Sequence, residues 1–538
     1  MNSRLRSMAP LAALLLLTVA GLVLAGKVNG YYVFVIANVA LLAAVGVGLN
    51  VLMGLSGQVS FGHVGFYAVG AYTVAILTTK FGWSFWAAWP LAGLLAGGLG
   101  ALLALPALRA RGPYLAMITI AFGFIVEHGI VEMRGLTGGQ NGIMGVAGPS
   151  LGFASGERAA AMLAVLLAAV LLLAFRWLSR GTWGAAMRAV RDSETAAESV
   201  GLNPLVVKTV AFALSAVCAG AAGGLFAPLS GFVTPHTFGF LQSILFVLVV
   251  MIGGAGSIAG PLVGALIVGL LPEALSSLEE YRLLIFGALL LVVLWVAPSG
   301  AAGLWRRKTA LHEPSAPPAA GLVLRADAGA SAPALAAQDL GMQFGGVRAV
   351  QGLAFEAQAG RVTSLIGPNG AGKTTALNML SGFYKPTSGG FALGGHPLQG
   401  QPAFCIARAG IARTYQTSQL FGGLSVLENV VLAAGRGSLG PLLGAARLRA
   451  PATQERAAQL LAFCGYTGSL HTTAADLPHV DRRLVEIARA LATSPAMLLL
   501  DEPAAGLSRE DKERLAGRCA ASPMAASVCC WSSTTWNW

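Results

Sequence analysis

Between residues 9 and 297 the chain is built from apolar stretches long enough to cross ~30 Å of hydrocarbon. They fall near 9–26, 31–53, 60–79, 83–105, 114–131, 158–179, 206–228 and 281–297, with a longer run at 240–272. In a bilayer every backbone N–H and C=O must find its partner within the protein, so such stretches fold as helices. The long run holds Gly253, Gly254, Gly256 and Pro261 and therefore divides in two, giving about ten spans. Arg4 and Arg6 followed by Leu11 to Leu24 also have the layout of a signal peptide, but the many spans behind them favour a first transmembrane helix.

Composition agrees, since 55% of the 538 residues are hydrophobic and only 11% are charged. The net charge of +12 invites a nucleic-acid reading. Many of the basic residues, however, stand at span ends (Arg109, Arg111, Arg176, Arg180, Arg306, Arg307, Lys308), where the positive-inside rule accounts for them. An even span count returns all of them to the side of Arg4 and Arg6. Five of six cysteines (Cys405, Cys464, Cys519, Cys529, Cys530) lie in the less apolar half without metal-like spacing and read as reduced thiols. Gly93 and Gly97, Gly220 and Gly224, and Gly256, Gly260 and Gly264 supply the small-residue spacing that lets spans pack closely. His63, Glu127 and His128 are ionisable groups within or at the end of spans, open to reading as pathway residues or as packing and interfacial contacts.

The second half carries Gly367-Pro368-Asn369-Gly370-Ala371-Gly372-Lys373-Thr374-Thr375 between a β-like run, Val362 to Ile366, and a helical one, Ala376 to Leu380. This is a P-loop. Its glycines allow a tight turn that aims backbone N–H groups at a phosphate chain, Lys373 adds a point charge, and the Thr374 hydroxyl suits Mg²⁺. The following helix presents its N-terminus to the anion. Further on, the apolar strand Met497 to Leu500 ends in the acids Asp501 and Glu502, a second element of nucleotide hydrolysis. Between two spans, residues 181–204 form a basic, helical-looking cytoplasmic loop closed by Gly201 and Pro204, suited to docking on an ATPase. Residues 306–336 turn to Ala, Pro, Ser and Gly and read as a flexible linker.

On the runs Gly54 to Tyr72, Leu136 to Gly142 and Ile252 to Ala265, with Ala196, Ala197 and Gly201 in the loop, the first half resembles the permease subunit of branched-chain amino-acid ABC importers. The second half resembles one of their ATP-binding subunits. The resemblance implies an α-helical polytopic domain of about ten spans over 1–305, the linker 306–336, an α/β ABC ATP-binding domain over 337–508, incomplete, and an aberrant tail, 509–538. It implies ATP and Mg²⁺ as cofactors. Phe344 would stack on adenine, and Gly367, Asn369, Gly370, Gly372, Lys373, Thr374 and Thr375 would hold the phosphates. Thr374, Gln416 and Asp501 would serve Mg²⁺, with Gln416 also sensing the γ-phosphate, and Glu502 would polarise the attacking water. The implied activity is ATP-driven import of branched-chain or other hydrophobic amino acids across the inner membrane by a fused half-transporter, its ATPase domain cytoplasmic. A second permease, a second ATP-binding subunit and a periplasmic substrate-binding protein would complete it; nucleic acid has no part. Import of urea or short amides, or a nucleotide-regulated membrane sensor, are the alternatives.

Two departures from the family stand out. Where its ATPases carry a Leu-Ser-x-Gly-Gln type signature, this chain reads Leu477-Pro478-His479-Val480-Asp481, which puts the partner's nucleotide site in doubt. No histidine follows Asp501-Glu502, and the chain runs on to CCWSSTTWNW without the expected apolar strand. Read one base earlier, the codons for this tail can spell an apolar strand and then His-Asp-Met-Glu-Leu. The expectation is a frame-shifted remnant and a hydrolysis-impaired ATPase.

Overall fold

The structure, a computed structural model, describes residues 3–107, 113–274, 281–297, 300–304, 334–358, 361–442, 450–501 and 527–530. The chain divides into two compact units, one of residues 1–179 and 208–309, the other of 180–207 and 310–538. Residues 180–207, which lie in sequence within the expected permease half, pack in the unit that holds the ATPase. Of the linker, residues 306–333 lie outside the described residues.

The first unit is helical: α1 (Ser3–Lys27), α2 (Gly30–Leu49), α3 (His63–Thr79), α4 (Phe85–Ala107), α5 (Pro113–Glu132) and α6 (Glu157–Arg180) precede the loop. The loop supplies α7 (Thr182–Asp192) and α8 (Glu194–Ser199), and α9 (Pro204–Ser230), α10 (Phe240–Gly253), α11 (Gly260–Ala274) and α12 (Arg282–Val296) follow. Each of the ten expected spans falls on one of these helices. Among the described residues six helices are long and apolar enough to cross a membrane, and Leu11–Lys27, His63–Thr79 and Gly260–Leu271 are shorter apolar helices. Non-helical turns interrupt the apolar stretches in places.

Two of those breaks meet. A π-helical turn, Asn50–Leu55, carries α2 into an irregular stretch before α3, and residues 254–259 interrupt the chain between α10 and α11. The buried Asn50 side chain donates to Ser257 O at 2.8 Å and accepts the Gly256 N–H at 2.6 Å. A Cβ at Gly54 would run into Gly256 N, so these glycines are where the two breaks touch. Irregular backbone at membrane depth persists when the protein satisfies it in this way. The predicted small-residue contacts are real: a Cβ at Gly70 would strike the Gly220 carbonyl, one at Gly220 the Ala96 methyl, and one at Gly264 the Val249 carbonyl. His63 is fully buried between the hydroxyls of Ser60 and Ser215, a packing contact with both ring nitrogens engaged.

In the second unit β1 (Leu335–Phe344) and β2 (Val347–Ala357) form a hairpin, and β3 (Val362–Ser364) leads into the P-loop and α13 (Lys373–Leu380). β1 begins two residues before 337, where the ATP-binding domain is expected to start. Then come β4 (Ser388–Leu393), β5 (His396–Pro397), α14 (Ala403–Ala409), β6 (Ile411–Arg413), α15 (Val426–Ala434), α16 (Pro451–Cys464), α17 (His479–Ala492), β7 (Met497–Asp501) and β8 (Ser527–Cys530). The first sheet is antiparallel in the order β2-β1-β4-β5, the second parallel in the order β3-β8-β7-β6. Leu340, Leu377, Met379, Leu380, Phe391, Met497 and Leu499 lie in the core that joins them.

The expectation of a tail without a strand is corrected here. Ser527–Cys530 form the strand between β3 and β7, with Ser527 opposite both Val362 and Leu498. A parallel sheet missing this member would leave the facing N–H and C=O groups of β3 and β7 without partners, and a strand ladder needs only backbone groups to fill that place. The rest of the tail, and Glu502, lie outside the described residues.

Candidate functional site

β3 and β7 both end at the carboxyl edge of the parallel sheet, the edge at which open α/β sheets take their ligands. From β3 the chain turns through the P-loop, where Gly370 and Gly372 hold φ of +85° and +83°. Such angles favour glycine, and a Cβ at Gly372 would also collide with the Ala349 carbonyl. Gly372 opens α13 without a side-chain cap, leaving the first-turn N–H groups to an anion. Lys373 folds back over the loop, its Nζ 2.7 Å from Gly367 O and 2.8 Å from Pro368 O. Asn369, Gly370 and Thr374 are exposed, Gly367 and Thr375 half-buried. The arrangement fits a phosphate chain: exposed loop N–H groups, an unclaimed helix N-terminus and one ammonium.

Phe344 ends β1 beside the Gly345-Gly346 turn. It is 43% exposed and meets Tyr384 edge to face, ring centroids 5.3 Å apart. Gln416 is exposed just beyond β6. Asp501 is buried at the end of β7, its carboxylate 3.2 Å from Arg413 Nη2. Arg413 also donates to Asn378 Oδ1 and, at 2.8 Å, to Ser381 Oγ at the end of the P-loop helix. One guanidinium on β6 thus ties β7 to α13.

Behind these groups lies a buried cluster. Glu486 of α17 is fully buried and accepts the backbone N–H of Tyr415 at 3.2 Å and of Gln419 at 3.3 Å through the same oxygen. Arg483 lies 3.0 Å from its other oxygen and Arg489 4.0 Å from the first. Arg483 reaches on to the Tyr415 carbonyl and, at 2.7 Å, to Asp501 O. Arg489 stacks 4.8 Å over the Phe421 ring, and burial lowers its pKa. α17 therefore fixes the segment 415–421 and the end of β7 together.

The same segment receives α7 and α8. Ala185, Ala186, Met187, Ala189, Ala196 and Ala197 of this helical pair are fully buried. Tyr415 donates its hydroxyl to Thr195 O at 3.1 Å, and Ser193 Oγ donates to Gln419 Oε1 at 2.8 Å. Asp192 accepts the Gly423 N–H at 2.6 Å, Arg408 Nε donates to Gly201 O at 2.9 Å, and Trp183 Nε1 to Gly440 O at 3.0 Å. Arg188 and Glu428 approach to 3.9 Å, a partly exposed pair of small value. Burial pushes the Tyr415 phenol up to about 12.

The family described as "Branched-chain amino acid transport system / permease component" matches residues 31–294, and the one described as "ABC transporter" matches 350–505. The high-affinity branched-chain amino acid transport ATP-binding protein LivG of Salmonella typhimurium is 42% identical over 192 residues, 34% of this chain and 75% of that protein. The chain belongs to the ABC transporter family. The permease protein LivM of the corresponding system in Escherichia coli is 37% identical over 280 residues, 47% of this chain. The chain spans 66% of LivM's length, just under two thirds. Among solved structures, a nucleotide-free ATP-binding cassette from an ABC transporter is 26% identical, over 38% of this chain and 82% of that one, with a TM-score of 0.33.

An ABC ATPase domain binds nucleotide, and of the residues expected to hold it Gly367 to Gly372 form the loop and Lys373 to Thr375 the first turn of α13. Asp501 faces Arg413 at the neighbouring edge of the sheet. Sequence reasoning missed Arg413, Tyr415, Gln419, Arg483, Glu486 and Arg489 as functional groups. The available signal was the spacing of Arg483, Glu486 and Arg489, three charges at successive intervals of three in a helix otherwise buried by Val485, Ile487 and Leu491.

Proposed function

We propose that this ABC protein is a fused permease and ATPase that drives branched-chain amino acids through the inner membrane with ATP, its ATPase domain cytoplasmic. The observation that carries the reading is the fold of residues 180–207: a segment flanked in sequence by the apolar helices α6 and α9 is built into the ATPase unit, on Tyr415, Gln419 and Gly423. Those residues begin two positions beyond Arg413, which binds Asp501. The segment that would read the nucleotide is therefore the one that holds the membrane loop.

In this reading Gly367, Asn369, Gly370, Gly372, Lys373, Thr374 and Thr375 cradle the phosphates and Phe344 lies against adenine. Thr374, Gln416 and Asp501 would hold Mg²⁺, directly or through water, and Glu502 would orient the attacking water. Mg²⁺ when bound supplies neutralising charge at the phosphate oxygens, and the rest of phosphoryl transfer is positioning and electrostatics. Arg413 must then release or share Asp501 when the ion enters. A second permease, a second ATP-binding subunit and a periplasmic binding protein would complete the transporter.

The test is uptake of radiolabelled leucine, isoleucine and valine by proteoliposomes holding the chain and its partner subunits. ATP-dependent accumulation that Lys373→Ala abolishes supports the proposal. Accumulation indifferent to ATP, or no accumulation with all subunits present, overturns it.

A further inference from the structure

α5 is apolar along its length, yet only 17% of its membrane-length stretch is buried. On this largely uncovered helix stands Glu127, half-buried, at the rim of a narrow groove it shares with Phe61, Val64, Ile120, Phe124 and Phe240. The rings form a chain: Phe61 meets Phe240 with centroids 6.4 Å apart, and Phe240 stacks on Phe124 at 6.2 Å, their planes 26° apart. Phe61 is held from both sides, its N–H donating to Thr119 Oγ1 at 3.1 Å and its carbonyl accepting the Ser243 hydroxyl. A Cβ at Gly62 would press on the Thr119 carbonyl at 2.5 Å, so α5 is seated directly on the irregular turn that carries Phe61. The space between the walls has room for no more than one water molecule.

A carboxylate on an apolar span is expensive to present to lipid. Its surroundings also limit what it can pair with. A metal ion of the Ca²⁺ or Mg²⁺ type asks for several oxygen ligands, whereas Glu127 is the single carboxylate among the described residues that line the groove. An organic ammonium asks for one carboxylate and gains from aromatic faces, and an aliphatic substituent on it suits the same rings.

We infer that this groove is a closed constriction on the route of a free aliphatic amino acid, with Glu127 taking the ammonium group and the rings of Phe61, Phe124 and Phe240 taking the side chain. The inference rests on the import reading and adds to it a site for the substrate within the membrane unit. Passage requires Phe124 and Phe240 to part, since the closed groove excludes a molecule of that size.

The experiment uses the full chain with its partner subunits in proteoliposomes, with leucine as the probe. Glu127→Gln is expected to lower the maximal leucine uptake about ten-fold or more, the scale of a lost charge-assisted hydrogen bond, while ATP hydrolysis persists; Glu127→Asp restores part of the uptake. Separately, leucine is expected to slow the reaction of a small thiol reagent with Phe124→Cys, a readout that does not depend on the carboxylate variants folding. Native uptake by Glu127→Gln, or labelling of Phe124→Cys indifferent to leucine, overturns the inference while leaving import intact. Failure of the unmodified chain to carry leucine overturns the import reading and this inference with it.

Discussion

Ser193 and Gln419 are joined side chain to side chain at 2.8 Å, and the same serine hydroxyl caps α8 by accepting the Ala196 N–H at 3.1 Å. One oxygen thus starts α8 and holds the segment that follows β6, while the serine's backbone N–H closes α7 on the Ala189 carbonyl. Ser193→Ala removes a helix cap, about 1 kcal/mol, and a docking hydrogen bond of similar worth. The expected outcome is a several-fold loss of ATP-driven uptake with unchanged ATP affinity, read by uptake beside equilibrium binding of a fluorescent nucleotide. Nucleotide affinity falling in step with uptake would show that α7 and α8 do not act as a separate coupling element.

Glu486 is the centre of the buried cluster, and its removal leaves two buried guanidinium groups without their counter-charge and two backbone N–H groups without their acceptor. Taking one partner from a buried ion pair costs about 3–5 kcal/mol. Glu486→Ala is expected to lower the urea midpoint of the ATPase unit, followed by limited proteolysis within 415–421, by far more than Glu486→Gln. The glutamine still accepts from the N–H groups of Tyr415 and Gln419, though not as an anion. Equal, small effects of the two substitutions would mean that the charges on Arg483 and Arg489 are not held by Glu486.

How much of this was legible in the sequence depends on the range of the interactions. The spans and the P-loop were readable because each rests on local rules: run length for the helices, and glycine spacing for Gly370 and Gly372. The loop 181–204 was also readable as a helical insertion closed by Gly201, whose φ is +84°. What it touches was not, because Ser193 and Gln419 stand 226 residues apart. Glu486 hid for a similar reason: nothing local to α17 says that the N–H groups of Tyr415 and Gln419 meet its carboxylate. Ser527–Cys530 were misjudged because side-chain character was weighed, whereas the sheet position is set by backbone pairing with β3 and β7.

Lys373 is the one ammonium at the P-loop's mouth among the described residues, and it bonds the Gly367 and Pro368 carbonyls. Lys373→Ala is expected to reduce phosphate release by about 10²-fold or more, the scale of losing one preorganised donor at a developing charge. Membrane insertion, assayed by fractionation, stays unchanged because the residue lies in the second unit. Hydrolysis close to the unmodified rate would remove this loop from the reaction.

The Tyr415 phenol is expected to make the ATPase unit sensitive to alkali in a way that Tyr415→Phe abolishes. In the fold its hydroxyl donates to Thr195 O, and burial holds its pKa at about 12 against 10.0 when exposed. A group whose folded pKa is raised binds more protons in the folded than in the unfolded state between those two values. Its contribution is therefore fully present below pH 10 and is lost as pH rises toward 12. That difference corresponds to about 3 kcal/mol at most. The check is the difference in urea midpoint between the unmodified chain and Tyr415→Phe, followed from pH 8 to pH 11. The two should converge as pH rises, because the phenylalanine variant has lost the hydrogen bond but carries no buried phenol to ionise. A gap that stays constant over that range would show that Tyr415 is open to solvent and that α8 does not cover it.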